Sequence, residues 1–148
     1  MADLSNLYRQ IIMDHYKNPR NKGLTGLESY VKCHIKNPSC GDAIDIESKV
    51  EDGKIIDVRQ DGVGCSICCA SASIMSEAVI GLSVDEAKNL IENYLKMVSN
   101  DDSYDHNIDF GELGVFEGIK DFPARVRCAS IASKAFLNTL SKEDEEDA

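Results

Sequence analysis

The stretch AIDIESKVEDGKIIDVRQ, residues 43–60, most constrains how this chain can fold. Apolar and charged residues alternate on both sides of Asp52-Gly53, a pair typical of the two-residue turn between antiparallel strands. The segment YVKCHIKN, residues 30–37, alternates in the same way and adds a third strand upstream. The sequence therefore predicts a three-stranded antiparallel meander with one polar face.

The rest of the chain shows helical periodicity. Recognisable signals begin or end four amphipathic helices: Pro19 ends the first, Gly64 precedes the second, Ser83 and Glu86 form a capping box for the third, and Pro123 begins the last. Residues 99–121 are expected to be a loop with at most a short helical turn. The predicted fold class is α+β, a small three-stranded antiparallel sheet with helices packed on one face.

Length and charge limit the organisation and the class of partner. The 148 residues suit one domain, expected at residues 1–140, followed by an acidic disordered tail at residues 141–148. The net charge of −10 argues against a nucleic-acid partner bound through phosphates. The N-terminus lacks a secretory apolar region and no long apolar run appears, so a cytoplasmic protein without a membrane partner is expected.

In that reducing compartment, six cysteines are better explained as metal ligands or reactive thiols than as disulfides. Cys40 lies in the loop between the first two strands, Cys65 precedes a helix, and Cys128 lies early in the last helix. If these ends converge, the three thiolates and Asp42 would make a four-coordinate zinc set. Gly41 would let the chain bend between Cys40 and Asp42. Residue type alone leaves an ordinary turn as an equal alternative for Cys40 and Asp42.

The remaining cysteines and the histidines are expected to be structural. Cys33 and Cys68 fall on apolar stripes and are predicted to be core residues, and Cys69 is a small buried residue or a spare thiol. The histidines are expected to be surface or hydrogen-bonded side chains without ligand-like neighbours: His15, His34 and His106. Arg125 and Arg127 either offset the negative charge of the proposed centre or form a solvated helix face.

Four motifs together resemble the NifU-N/IscU-like family of iron–sulfur assembly proteins: LYRQIIMDHYKNPRN, SCGDAIDIES, GVGCSICCASASIMSE and ARVRCASIASKA. The resemblance runs from Leu7 to about Leu140 and is closest to the zinc-containing sulfur acceptors of the SUF system. Three features separate the chain from the scaffold branch. Arg127 stands where the scaffolds carry a histidine, DFPAR replaces their LPPVK-like chaperone-recognition stretch, and residues 99–121 match an extra segment of the SUF-type members.

This resemblance implies a specific site and a specific activity. It implies zinc bound by Cys40, Asp42, Cys65 and Cys128, with Cys40 accepting persulfide sulfur from a PLP-dependent cysteine desulfurase of the SufS type. It further implies other SUF assembly proteins as partners and a zinc-dependent sulfurtransferase role in iron–sulfur cluster assembly. Two alternatives remain: a scaffold that binds a [2Fe–2S] cluster on the same ligands, and a structural zinc module that only binds proteins.

Overall fold

The computed structural model describes residues 2–37 and 41–147, with side chains described for residues 6–37 and 41–141. The elements follow the order helix, three strands, helices: α1 (Ala2–Lys17), β1 (Val31–Asn37), β2 (Asp42–Glu51), β3 (Lys54–Val63), α2 (Ser66–Val79), α3 (Val84–Val98), a 3₁₀ helix (Gly111–Asp121) and α4 (Pro123–Asp147). Among the described helices, none has the length and apolar character needed to cross a bilayer.

The sheet has the predicted meander topology, with order β1-β2-β3 and both pairs antiparallel. Asp52 and Gly53 form the β2–β3 turn with φ values of 54° and 77°. Positive φ at both positions gives the turn whose twist matches that of the flanking strands. The register places Ile46 opposite Cys33 on one side and Gln60 on the other.

The helices pack on one face of this sheet, as the predicted α+β class requires. α4 lies against β1 and β2, and α2 lies against β3, while α1 and α3 pack outside them against α2 and α4. Alternate residues of β2 enter the interface, because Ile44 and Ile46 are fully buried and Ser48 donates a hydrogen bond to Thr139 of α4. The fold class predicted from the sequence is confirmed.

The opposite face of the sheet is less exposed than predicted. Glu47 is only 2% exposed, because the loop before β1 crosses over it. Its carboxylate accepts hydrogen bonds from the backbone N–H and hydroxyl of Thr25 and from the N–H of Gly26. A buried carboxylate with these donors is stabilised, and it fixes the loop to the sheet.

The prediction of a loop over residues 99–121 is wrong in its second half. Residues 111–121 form the 3₁₀ helix, and three of its side chains are buried against the core: Leu113, Val115 and Phe116. The three glycines of this segment and the polar residues before it favoured a loop in the sequence. This segment contacts α1, α2, α3 and α4 and is part of the core.

The last helix extends past the predicted domain boundary. α4 is described through Asp147, although the sequence places the end of the domain at residue 140. Side chains after Ser141 lie outside the described residues. The division into a domain at residues 1–140 and an acidic disordered tail at residues 141–148 therefore stays a prediction.

Candidate metal centre

Three of the four predicted ligands lie together in the structure. A carboxylate oxygen of Asp42, Sγ of Cys65 and Sγ of Cys128 are all within 4.8 Å of one another. Asp42 is the first residue of β2, Cys65 is the N-cap of α2, and Cys128 lies in the second turn of α4. The sheet thus brings one strand start and two helix starts to the same end of the molecule.

The fourth predicted ligand, Cys40, lies outside the described residues, as do Pro38 and Ser39. The two ends of this connection are described. The N–H of Gly41 donates to the carbonyl of Asn37 at 3.0 Å, and Asn37 pairs with Asp42 across β1 and β2. Gly41 has a φ of +72°, which favours glycine. The role of Cys40 as a ligand stays a prediction.

Asp42 is fully buried, and only one of its two carboxylate oxygens has a hydrogen-bond partner among the described residues. Its Oδ1 accepts a hydrogen bond from the backbone N–H of Cys65 at 3.1 Å, whereas Oδ2 has no hydrogen-bond partner among the described residues. A buried carboxylate oxygen without a partner is costly, on the order of 1–3 kcal/mol or more. A cation shared with the two sulfurs would remove that cost, so the arrangement fits a metal ion.

Gly64 is needed beside this carboxylate. A Cβ at Gly64 would lie 2.1 Å from Oδ1 and 2.8 Å from Cγ of Asp42. Gly64 also has a φ of +153°. The side chain of Asp42 therefore fits against the backbone of the β3–α2 connection only because residue 64 has no side chain.

The two cysteines have different surroundings. Cys65 is half-buried at the N-cap position of α2. Cys128 is 2% exposed, and burial, followed by the proximity of the Asp42 carboxylate and the Cys65 sulfur, raises the pKa of its thiol well above the usual range. A divalent cation would reverse this preference, because it stabilises the thiolate and offsets the neighbouring carboxylate.

The other cysteines behave largely as predicted. Cys33 and Cys68 are core residues, 5% and 0% exposed. Cys69 is half-buried one helical turn after Cys65, and its Sγ lies 3.8 Å from the carbonyl oxygen of Gly64. Burial raises the pKa of the Cys69 thiol, and the charge of Lys22 lowers it by less.

Among the histidines, His15 is hydrogen-bonded as predicted but differs from the prediction in having two ligand-like carboxylate neighbours. His34 and His106 are exposed beside Asp45 and Asp102. His15 is hydrogen-bonded but is 1% exposed, with two glutamates close to its ring. Its position four residues after Ile11, on the apolar stripe of α1, is the sequence signal that indicates burial. Arg125 and Arg127 are both exposed on α4.

Known proteins are similar to this chain in sequence and in fold. Residues 7–129 match the family described as NifU-like N terminal domain. The zinc-dependent sulfurtransferase SufU of Bacillus subtilis is 40% identical over 143 residues, which cover 97% of this chain and 95% of the relative. The iron–sulfur cluster assembly scaffold protein IscU of Streptococcus pyogenes serotype M1 is 34% identical over 143 residues, which cover 96% of this chain and 87% of that relative.

A solved structure from Fervidobacterium islandicum superposes with a TM-score of 0.75 and 31% identity, covering 85% of this chain and 90% of that one. That protein is described as a proposed iron–sulfur cluster assembly scaffold protein for the SUF system. The relatives therefore carry two kinds of name, sulfurtransferase and scaffold, on a similar chain.

Proposed function

Because this chain belongs to the family of NifU-like N-terminal domains, we propose that it is a zinc-dependent sulfurtransferase of iron–sulfur cluster assembly. It accepts persulfide sulfur from a SufS-type cysteine desulfurase through Cys40 and passes it to other SUF assembly proteins. The observation that carries the proposal is the buried, unpaired Oδ2 of Asp42 in a cluster with Cys65 and Cys128. The similarity to the sulfurtransferase of Bacillus subtilis supports the choice of activity.

The donor set suits zinc. Asp42, Cys65 and Cys128 supply one oxygen and two sulfurs, and Cys40, two residues before Asp42, completes a four-ligand set of the kind that zinc binds. Zinc, when bound, keeps the thiolates ionised and joins the ends of the elements that carry them. The protein contributes the orientation of Asp42, which the N–H of Cys65 holds at 3.1 Å.

Burial distinguishes the roles of two of the described ligands. Asp42 and Cys128 are enclosed and are suited to hold their positions during a reaction. Cys40 belongs to the short connection between β1 and β2, and it is the proposed sulfur acceptor. Its thiolate attacks the terminal sulfur of the desulfurase persulfide, forming a new S–S bond while the donor's S–S bond breaks. The desulfurase cysteine leaves as a thiolate, so the step needs no added oxidant or reductant.

A desulfurase assay tests this acceptor. Full-length protein is added to a SufS-type desulfurase, and alanine release is followed with and without zinc. We expect stimulation by the wild type to be abolished by Cys40→Ser and to persist in Cys69→Ser, which removes a neighbouring thiol outside the ligand set. Full stimulation by Cys40→Ser would overturn the assignment of Cys40, and stimulation independent of zinc would overturn the role of the metal.

A scaffold that binds a [2Fe–2S] cluster on the same ligands is the second candidate. It is favoured by the names of the relatives from Streptococcus pyogenes and Fervidobacterium islandicum. Metal and sulfide analysis of freshly purified protein separates the two functions. About one equivalent of tightly held zinc is expected for the sulfurtransferase, whereas iron with acid-labile sulfide would favour the scaffold.

A further inference from the structure

We propose that His15, Glu77 and Glu112 form a second divalent-cation site, which takes a first-row transition-metal ion. Their ligand atoms all lie within 4.8 Å of one another. Glu77 is twelve residues after Cys65 on the same helix, which corresponds to about 18 Å along the axis. The cluster is thus distinct from the sulfur ligands, and the inference does not depend on the proposed function.

The imidazole of His15 is held in a fixed orientation. It is 1% exposed, and Nδ1 lies 2.7 Å from Oγ of Ser73, which also accepts the backbone N–H of Arg20 at 2.9 Å. A metal-binding histidine usually donates its other ring N–H to such an oxygen, which fixes the ring and the tautomer. Nδ1 can donate to Ser73 in this way, and Nε2 is then the nitrogen available to a cation.

Two carboxylates face that nitrogen from different elements. Nε2 of His15 lies 2.9 Å from Oε1 of Glu112, in the 3₁₀ helix, and 3.9 Å from Oε1 of Glu77, at the end of α2. These separations bracket the spacing of about 3.3 Å that neighbouring ligands have around a tetrahedral ion with bonds of about 2.0 Å. One neutral imidazole and two carboxylates balance a charge of +2.

The site also has room for further ligands. Glu77 and Glu112 are about half exposed and line an open pocket of about 280 Å³ together with Asp109. Water can therefore occupy the remaining coordination positions, and an ion can enter from solvent. A nitrogen ligand beside two oxygens favours zinc, cobalt or a similar ion over magnesium or calcium, which prefer oxygen alone.

A simple hydrogen bond from His15 to Glu112 is the competing explanation. That explanation accounts for the 2.9 Å contact but assigns no role to the approach of Glu77 to the same nitrogen. Arg20 also acts electrostatically on both glutamates, although its guanidinium donates to Asp14 and to the carbonyl of Asn18. Its positive charge lowers the affinity for a cation, so we expect weaker binding here than at the thiolates.

Cobalt titration of the zinc-loaded full chain tests the proposal. Bound Co²⁺ absorbs visibly, and thiolate ligands add intense charge-transfer bands in the near ultraviolet. We expect one equivalent of Co²⁺ to bind with visible bands and no thiolate charge transfer, and to be displaced by further Zn²⁺. Glu77→Gln should weaken this binding by about tenfold or more, and His15→Gln should abolish it. Glu117→Gln removes the same charge from the same 3₁₀ helix and should leave the affinity unchanged.

Other outcomes overturn the proposal. The proposal is wrong if no Co²⁺ binds, or if the bound Co²⁺ shows only thiolate charge-transfer bands. It is also wrong if Glu77→Gln and Glu117→Gln change the affinity equally. Glu77 is half exposed, so its substitution tests the site even if the buried His15→Gln variant fails to fold. Zinc analysis of the same samples reports separately on the sulfur ligands.

Discussion

At the scale of single residues, Asp42 is unusual because its carboxylate is buried and only partly hydrogen-bonded. Its carboxylate is fully buried, one oxygen accepts the N–H of Cys65, and the other has no partner among the described residues. Without a cation, such a group near Cys65 and Cys128 destabilises the fold. With a cation, the same group fixes the start of β2 against the start of α2. The cost of burying Asp42 is thus evidence for a bound ion.

Gly64→Ala tests the role of Asp42 without changing any of the proposed ligands. The new methyl group would overlap the carboxylate of Asp42, so we expect zinc affinity to fall by about tenfold or more, as when a supporting group of a metal site is lost. Gly81→Ala is the matched control, because Gly81 has a φ of +94° with no atom within 4 Å of the added Cβ.

Both substitutions place a side chain at a positive φ that glycine tolerates, at a cost on the order of 1–3 kcal/mol each, which thermal unfolding of the zinc-free proteins measures. Only Gly64→Ala should lose zinc in competition with a chromophoric chelator. Equal zinc affinities for the two variants would show that the position of Asp42 does not control the metal.

At the scale of elements, local signals in the sequence predicted most of the fold. The Asp52-Gly53 turn and the capping box of α3 are short-range features, and both appear in the structure. The 3₁₀ helix was missed because its buried residues are ordered by contacts with four other helices. No local pattern reports such contacts. The burial of Glu47 was missed for the same reason, since its partners belong to a distant loop.

The loop before β1 is also joined to β3, and this contact should depend on pH. The hydroxyl of Tyr30 donates to Oδ2 of Asp57 at 2.6 Å, and this hydrogen bond raises the pKa of Tyr30 to about 12 from 10.0. The neutral phenol is favoured in the folded state, so the stabilisation is fully present below pH 10 and is lost as the pH rises towards 12.

Spectroscopic titration of tyrosinate absorbance measures this effect. We expect Tyr30→Phe to remove one titration near pH 12, and Asp57→Asn to move it to lower pH because the carboxylate charge is gone. Tyr104→Phe removes a tyrosine without this hydrogen bond and serves as the control for the number of titrating groups. A profile unchanged by Asp57→Asn would contradict the proposed cause.

At the scale of the whole molecule, the candidate centre joins parts of the chain that are far apart in sequence. Asp42, Cys65 and Cys128 belong to β2, α2 and α4, and their meeting depends on how both helices pack on the sheet. Spacing along the chain could not predict that meeting, and residue type left a turn as an equal explanation for Asp42. The family resemblance supplied the ligand set, and the packing of the helices explains how three of its members meet.

A metal at this centre should therefore stabilise the entire domain. An ion that binds only the folded chain adds roughly 4 kcal/mol when free zinc is about 1,000 times its Kd. For a chain of this size that corresponds to roughly 8–16 °C in Tm. We expect chelation to lower the Tm by an amount in this range, and Cys65→Ala and Cys128→Ala to abolish the response to added zinc.

Cys33→Ala is the control that distinguishes stabilisation by bound zinc from stabilisation by packing of the core. Cys33 is buried in the core at 5% exposure and lies outside the cluster, so its loss should lower the Tm while the increase on adding zinc persists. If verified removal of zinc left the Tm of the wild type unchanged, the ion would not be linked to folding. The convergence of Asp42, Cys65 and Cys128 would then be a consequence of packing, and the buried carboxylate of Asp42 would need another source of compensation.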